Sequence, residues 1–110
     1  GDMVGHTGIM SAAKKAAETL DNCIARLEKA ILAKNGAMLI IADHGNCEKM
    51  VDENGEPFTA HTTNKVFSIL VSNDKDIHSL HDGKLADVAP TLLKLLNLPI
   101  PSEMTGKPLF

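Results

Sequence analysis

The sequence predicts an α/β fold in which helices cover a mostly parallel sheet, and two observations lead to that prediction. Residues 37–41 form a continuous apolar run without polar alternation, as expected for a strand that is covered on both faces. A long amphipathic helical pattern directly precedes this run, and the order helix-then-strand is typical of a covered parallel sheet. With 110 residues, the chain is long enough for one modest domain that buries about two thirds of its surface.

The first predicted element is a helix from about Ile9 to Lys34. Its apolar residues recur at intervals of three and four, opposite a charged face. The helix is predicted to stop at Asn35-Gly36, because glycine accepts the left-handed conformation in which many helices end. The buried strand, residues 37–42, follows at once.

The second half of the chain is predicted to contain one more strand and one more helix. Residues 46–60 have the composition of a loop with tight turns, and residues 66–71 form a strand rich in β-branched side chains. A helix is expected over residues 85–96, with Asp87 in its first turn, where the helix dipole favours a carboxylate. The tail that ends at Phe110 carries apolar residues, which predicts an ordered peptide lying on the domain.

Composition narrows the functional classes. A net charge of −3 and three aromatic residues, all Phe, argue against a nucleic-acid partner. No apolar stretch approaches the roughly 20 residues of a membrane span. Cys23 and Cys47 lack the spacing of a metal-binding pair, so both are expected as reduced thiols in a cytoplasmic protein. Cys47 has no evident base and is interpreted as a buried bystander.

A polar segment, Ala42 to Asn46, follows the first strand. Ligands bind at the carboxyl ends of strands in open α/β sheets. Adjacent residues of an extended chain point to opposite faces, so Asp43 and His44 would not readily chelate one ion together and could each serve a different ion or group. This interpretation requires Gly45 to let the backbone turn sharply. The segment is the first indication of a site with two centres.

Three clusters carry side chains of the metal-ligand type. Asp2 and His6 are four residues apart, so one helical turn would bring them to the same face. Asp43 and His44 lie at the end of the strand, and His61 precedes the second strand. These are oxygen and nitrogen donors without a thiolate, a set that favours Mn²⁺, Zn²⁺ or non-haem iron over Ca²⁺ or a structural cysteine–zinc site.

Each cluster also has a simpler interpretation. The spacing of Asp2 and His6 is typical of a helix cap or a surface pair, and His61 alone would be an ordinary loop histidine. His78 and His81 lie in a polar connector and are expected to be solvated. A metal-free structural or interaction module, in which the histidines only pack and cap, is therefore the alternative from a different class of protein.

Taken together, the motifs resemble those of the cofactor-independent (2,3-bisphosphoglycerate-independent) phosphoglycerate mutases in order and spacing. The matching segments are Asp2–Gly8, Ala42–Met50, Ala60–Asn64, Asp87–Leu93 and Glu103–Leu109. The resemblance implies an alkaline-phosphatase-like fold, in which residues 1–110 are the C-terminal portion of the metal-binding phosphatase domain. Because the chain opens inside a motif without an initiator Met, we expect a fragment of a longer polypeptide.

The resemblance also implies a two-manganese site. In that site Asp2, His6 and His61 hold one Mn²⁺, while Asp43 and His44 contribute to the other. The family completes the second centre with an aspartate and a nucleophilic serine from near the N-terminus of the enzyme. Neither is present among these residues, so the chain is expected to contain no catalytic residue and to be inactive alone.

The implied reaction moves the phosphoryl group of 3-phosphoglycerate onto the serine and back to give 2-phosphoglycerate in glycolysis. A phosphopentomutase or phosphohydrolase on the same metal scaffold is the alternative within the superfamily, although the segments 61–64 and 103–109 favour the mutase. A fragment would lack neighbouring strands, so it is expected to self-associate through exposed sheet edges.

Overall fold

A computed structural model describes all residues from Gly1 to Phe110. The elements in chain order are α1 (Asp2–Gly5), α2 (Met10–Leu32), β1 (Met38–Ile41), β2 (Ser68–Val71), a 3₁₀ turn (Leu85–Asp87) and α3 (Val88–Leu95). The predicted α/β class is confirmed, and the two predicted helices and two predicted strands all form within the expected ranges. None of the helices is long and apolar enough to cross a membrane.

The C-terminal end of α2 differs from the prediction in one detail. Asn35, with a φ of 53°, takes the left-handed conformation that the sequence assigned to Gly36. Asparagine tolerates this conformation because its short polar side chain can hydrogen-bond locally. The backbone N–H groups of Asn35 and Gly36 donate to the carbonyls of Leu32 and Ile31, both at 3.0 Å, and so close the helix.

The sheet has two strands, and they pair antiparallel, with Met38 opposite Val71 and Ile41 opposite Ser68. For the two strands of this chain, the expectation of a mostly parallel sheet is therefore wrong. A parallel pair needs a crossover connection, usually a helix, whereas residues 42–67 connect β1 to β2 without any helix. β1 is half-buried over its first three residues and exposed at Ile41, rather than covered on both faces.

The chain divides into two compact units. The first comprises residues 1–30 and 42–67, and it contains all five side chains predicted as metal ligands. The second comprises residues 31–41 and 68–110, and it contains the sheet, α3 and the C-terminal tail. In this second unit the tail is ordered, as predicted: Leu109 is buried, and its backbone N–H donates to the Thr91 hydroxyl at 3.0 Å.

Candidate metal centre

The short helix α1 brings the first two candidate ligands together. The backbone N–H of Gly5 donates to Gly1 O at 2.8 Å, and that of His6 donates to Asp2 O at 3.1 Å, which closes one helical turn. Side chains four residues apart lie on the same face of such a turn. His6 Nε2 accordingly lies 3.3 Å from Asp2 Oδ1.

His61 reaches the same point from a distant part of the chain. The backbone N–H of Thr62 donates to Gly45 O at 2.9 Å, in an isolated antiparallel bridge that fixes the His61 segment beside the loop after β1. From there His61 Nε2 lies 3.0 Å from Asp2 Oδ1 and 3.1 Å from His6 Nε2. One carboxylate and two imidazoles thus converge, although 59 positions separate Asp2 and His61 in the sequence.

Asp43 and His44 lie next to this group. His44 Nε2 is 3.9 Å from Asp2 Oδ1 and 3.6 Å from Asp43 Oδ1. The imidazole of His44 stacks on that of His61 with ring centroids 3.6 Å apart. All five sequence-predicted residues therefore belong to one neighbourhood, but only Asp2, His6 and His61 have donor atoms that all lie within 4.8 Å of one another.

The imidazole rings of His6 and His44 are oriented by hydrogen bonds at Nδ1, while Nε2 is the nitrogen near Asp2. His6 Nδ1 lies 2.6 Å from the carbonyl oxygen of Thr59, and His44 Nδ1 lies 3.3 Å from that of Gly45. A carbonyl oxygen can only accept, so Nδ1 of each ring carries the proton in these bonds and leaves the Nε2 lone pair free. This arrangement is common for metal-binding histidines, whose second nitrogen is held by a carbonyl or carboxylate.

The electrostatics of the group favour an ionised carboxylate. Loss of solvent around Asp2 raises its pKa, but the hydrogen bond with His61 and the electrostatic interactions with His6, His61 and His44 outweigh this effect. The net result is a pKa below the ordinary value for aspartate. The side chains of Asp2, His6 and His61 are 56%, 44% and 47% exposed, so an ion could enter directly from solvent.

The donor set fits a divalent transition-metal ion. An ionised carboxylate oxygen and imidazole nitrogens, which ligate in their unprotonated form, are donors that Mn²⁺, Zn²⁺ and Fe²⁺ accept. The three donor atoms lie on three different side chains that already face a common point, while open solvent could supply the remaining ligands. The residues present thus fit a metal ion of the kind implied by the sequence.

Sequence reasoning missed a polar network around this centre. Glu48 accepts a hydrogen bond from the backbone N–H of Asn46 at 2.6 Å, from the side-chain amide of Asn64 at 3.0 Å, and from the Thr62 hydroxyl. The Thr62 hydrogen bond is the main reason that the pKa of Glu48 lies below its ordinary value. Asn46, which is buried, donates from Nδ2 to Asp2 Oδ1 at 3.1 Å. In the sequence, Asn46 and Glu48 lie two and four residues after His44, and this proximity is the only feature that could have indicated a role at the site.

Two glycines are required here for space. A Cβ at Gly45 would overlap Thr62 Oγ1 and the Glu48 carboxylate, and a Cβ at Gly5 would overlap the Asn46 side chain. The backbone φ of Gly45 is not in the left-handed region, so the sharp turn expected of it is not the reason for glycine. Glycine permits the close approach of segments that carry His6, His44 and His61.

The remaining candidate residues from the sequence are two cysteines and two histidines. Cys47 is half-buried, and its thiol donates to Gly1 O at 3.2 Å, while Cys23 is exposed. His81 is exposed but not merely solvated: in the second unit its ring nitrogens contact the carbonyls of Asp82 and Pro108 at 3.0 and 3.1 Å. His78 is exposed, as predicted.

The family of the chain follows from comparison with known proteins. The profile of the metalloenzyme superfamily matches residues 1–100. The chain therefore belongs to the metalloenzyme superfamily.

Within that superfamily the chain is similar over its whole length to 2,3-bisphosphoglycerate-independent phosphoglycerate mutases. It is 52% identical to the protein of that name from Microcystis aeruginosa and 56% identical to that from Clostridium botulinum strain Langeland, in each case over 98% of this chain. The mutase from Salmonella paratyphi B is 54% identical over the full chain. The chain spans only about a fifth of the length of these relatives, 21–22%.

A solved structure supports the same relationship. The phosphoglycerate mutase of Leishmania mexicana, determined at low cobalt concentration, superposes with a TM-score of 0.83 at 28% sequence identity. The match covers 99% of this chain and 23% of the other. The resemblance identified from sequence motifs is confirmed.

Proposed function

We propose that residues 1–110 form the metal-ligating, C-terminal portion of the phosphatase domain of a 2,3-bisphosphoglycerate-independent phosphoglycerate mutase. The complete protein would interconvert 3-phosphoglycerate and 2-phosphoglycerate in glycolysis through a phosphoserine intermediate. The convergence of Asp2, His6 and His61 is the observation that supports this best. Identity of 52–56% to named mutases favours this reaction over a phosphopentomutase or phosphohydrolase on the same scaffold.

In this proposal two Mn²⁺ ions are the cofactors. Asp2, His6 and His61 would hold one ion, and Asp43 and His44 would supply part of the ligand set of the other. Bound divalent cations neutralise phosphate charge and lower the pKa of a hydroxyl nucleophile, which is the chemistry that phosphoryl transfer needs.

The side chains of this chain would bind and orient rather than react. The Asp2 carboxylate supplies negative charge next to imidazoles that are neutral when they ligate. The carbonyls of Thr59 and Gly45 hold the Nδ1 protons of His6 and His44, which keeps Nε2 of each ring available as a ligand. No serine of this chain is assigned as the nucleophile.

We expect the 110-residue chain alone to convert no 3-phosphoglycerate when Mn²⁺ is added, because the nucleophilic serine and the substrate-binding arginines and lysine would lie elsewhere in the complete protein. A coupled assay of 2-phosphoglycerate formation measures this directly. Turnover by the purified chain, above a heat-treated control, would contradict the proposal that the active site needs residues from outside this chain.

The metal centre itself is tested by titrating the chain with Mn²⁺ and measuring the free ion by electron paramagnetic resonance. His61→Ala removes one of three converging donors and should weaken binding at least about tenfold, since each ligand contributes strongly to affinity. His78→Ala, an exposed histidine of the second unit, is the matched control and should bind as the parent does. Equal affinity of the parent and His61→Ala would refute the ligand assignment.

Phosphoglycerate would be the partner of the complete protein, and neither a nucleic acid nor a membrane is part of this proposal. We also propose a cytoplasmic location for the protein. Both cysteines are free thiols, the state that a reducing compartment maintains.

A further inference from the structure

We propose that Glu48 is a positioning residue of the metal centre. Its carboxylate joins the loop that carries His44 to the segment that carries His61, and it thereby sets where the His61 ring meets Asp2. This inference rests on the proposed metal-binding function and adds to it a residue that contacts no candidate ligand directly.

Three hydrogen bonds from two segments converge on the one carboxylate. Oε2 accepts from the backbone N–H of Asn46 at 2.6 Å, within the loop after β1. Oε1 accepts from the Thr62 hydroxyl and from the Asn64 side-chain amide, the latter at 3.0 Å, in the segment after His61. Thr62 is the residue next to His61, so the bond to Glu48 acts one residue from the imidazole.

A second connection runs from the same loop to Asp2. The Asn46 backbone donates to Glu48, and the buried Asn46 side chain donates from Nδ2 to Asp2 Oδ1 at 3.1 Å. Gly5 leaves the space that this amide occupies. Glu48 therefore fixes both sides of the contact between His61 and Asp2, one through Thr62 and the other through Asn46.

The network requires a carboxylate because every partner is a donor. An ionised carboxylate accepts at both oxygens and forms shorter, stronger hydrogen bonds than a neutral group. In Glu48→Gln, one oxygen is replaced by an NH₂ group that would face either the Asn46 N–H or the donors of Thr62 and Asn64. One half of the bridge is then lost, while the size of the side chain is unchanged.

The experiment is a Co²⁺ titration of the 110-residue chain, with the visible absorption of the bound ion as the signal. Glu48→Gln is expected to weaken Co²⁺ binding about tenfold to a hundredfold, the usual effect of losing a residue that supports a ligand. It should also change the spectrum at saturation, because the His61 nitrogen moves relative to Asp2. A role in fold stability alone would leave the saturated spectrum as in the parent.

Glu53→Gln is the matched control, since it removes the same charge from an exposed turn five positions away. It should bind within roughly twofold of the parent, as expected for a neutral surface change. A second pair keeps the test valid if Glu48→Gln fails to fold: Thr62→Ser retains the hydroxyl donor and should bind as the parent does. Thr62→Val loses the donor and should show the weakened binding and altered spectrum.

Circular dichroism of the metal-free variants ensures that folded chains are compared. The inference is overturned if the parent binds Co²⁺ and Glu48→Gln and Thr62→Val both bind with parental affinity and spectrum. If the parent itself binds no Co²⁺, the proposed metal centre fails first, and the positioning role of Glu48 is refuted with it.

Discussion

Asp87 is a buried carboxylate, 4% exposed, at the junction of the 3₁₀ turn and α3. Its oxygens accept from the backbone N–H groups of Lys107 and Lys84, both at 2.9 Å, and from Lys84 Nζ at 3.0 Å. These bonds, led by that from Lys107, lower the pKa of Asp87 to about 2. From the sequence, only a favourable interaction of Asp87 with the helix dipole was predicted. The position of Asp87 in a helical turn gives no information about a contact with Lys107 in the tail.

The lowered pKa makes stability depend on pH. A carboxyl group whose pKa is lower in the folded chain than in the unfolded chain stabilises the fold fully above its ordinary pKa, here 3.8. That contribution is lost as the pH falls towards about 2. We expect the free energy of unfolding, measured in urea, to decrease across this window, and the decrease to be smaller in Asp87→Asn. Parallel pH profiles of the two proteins would contradict this.

The residues of the candidate metal centre differ in how far the sequence could reveal them. Asp2, His6, Asp43, His44 and His61 could be found because they are ligand types in recognisable local motifs. The proposed role of Glu48 could not be found, since its hydrogen bonds to Thr62 and Asn64 depend on how two distant segments approach each other. Polar groups of this kind have no periodicity of their own, so only coordinates reveal their partners.

At the scale of elements, α3 contacts the C-terminal tail through Thr91 and through Lys94, whose Nζ donates to Phe110 O. Thr91 is fully buried, and its hydroxyl donates to Asp87 O at 2.6 Å and accepts from the backbone N–H of Leu109 at 3.0 Å. The tail also approaches the 3₁₀ turn closely, since a Cβ at Gly106 would overlap the Ala86 carbonyl. The tail therefore packs backbone against backbone and depends on a few specific hydrogen bonds.

Thr91→Val keeps the shape of the side chain but leaves the Leu109 N–H without its acceptor in a buried place. The expected loss is about 1–3 kcal/mol in the free energy of unfolding. Thr19→Val is the matched control, because the Thr19 hydroxyl also donates four residues back, to Lys15 O, but on an exposed face of α2. Its effect should stay within about 0.5 kcal/mol. Equal losses in urea denaturation would show that the tail contact contributes nothing.

Helices and strands were predictable as elements, whereas the pairing of the strands was not. The periodicity of α2 and the apolar run of β1 are local properties, and both formed where expected. The antiparallel direction of β2 depends on the path of residues 42–67, which carry no regular pattern. In the same way, the left-handed residue after α2 was assigned to Gly36 on sequence grounds, whereas the backbone has it at Asn35.

At the scale of the whole molecule, much apolar surface is in contact with solvent. Met3, Phe67 and Leu96 are 83%, 82% and 66% exposed, and most of the long helix α2 is exposed as well. The two-stranded sheet also leaves one edge of each strand without a partner within this chain. Exposed apolar surface of this kind marks contacts with other protein surface, and unpaired strand edges can pair with another chain.

We therefore expect the 110-residue chain to self-associate, with a mass that rises with concentration in multi-angle light scattering. Ile69 lies in β2 and is 47% exposed, so Ile69→Lys places a charge on the strand and should shift the mass towards the monomer. Leu27→Lys, at a 55% exposed position of α2, introduces the same charge away from the sheet and should not. A monodisperse monomer at every concentration would refute self-association. An equal shift in both variants would assign it to apolar surface in general rather than to the sheet edges.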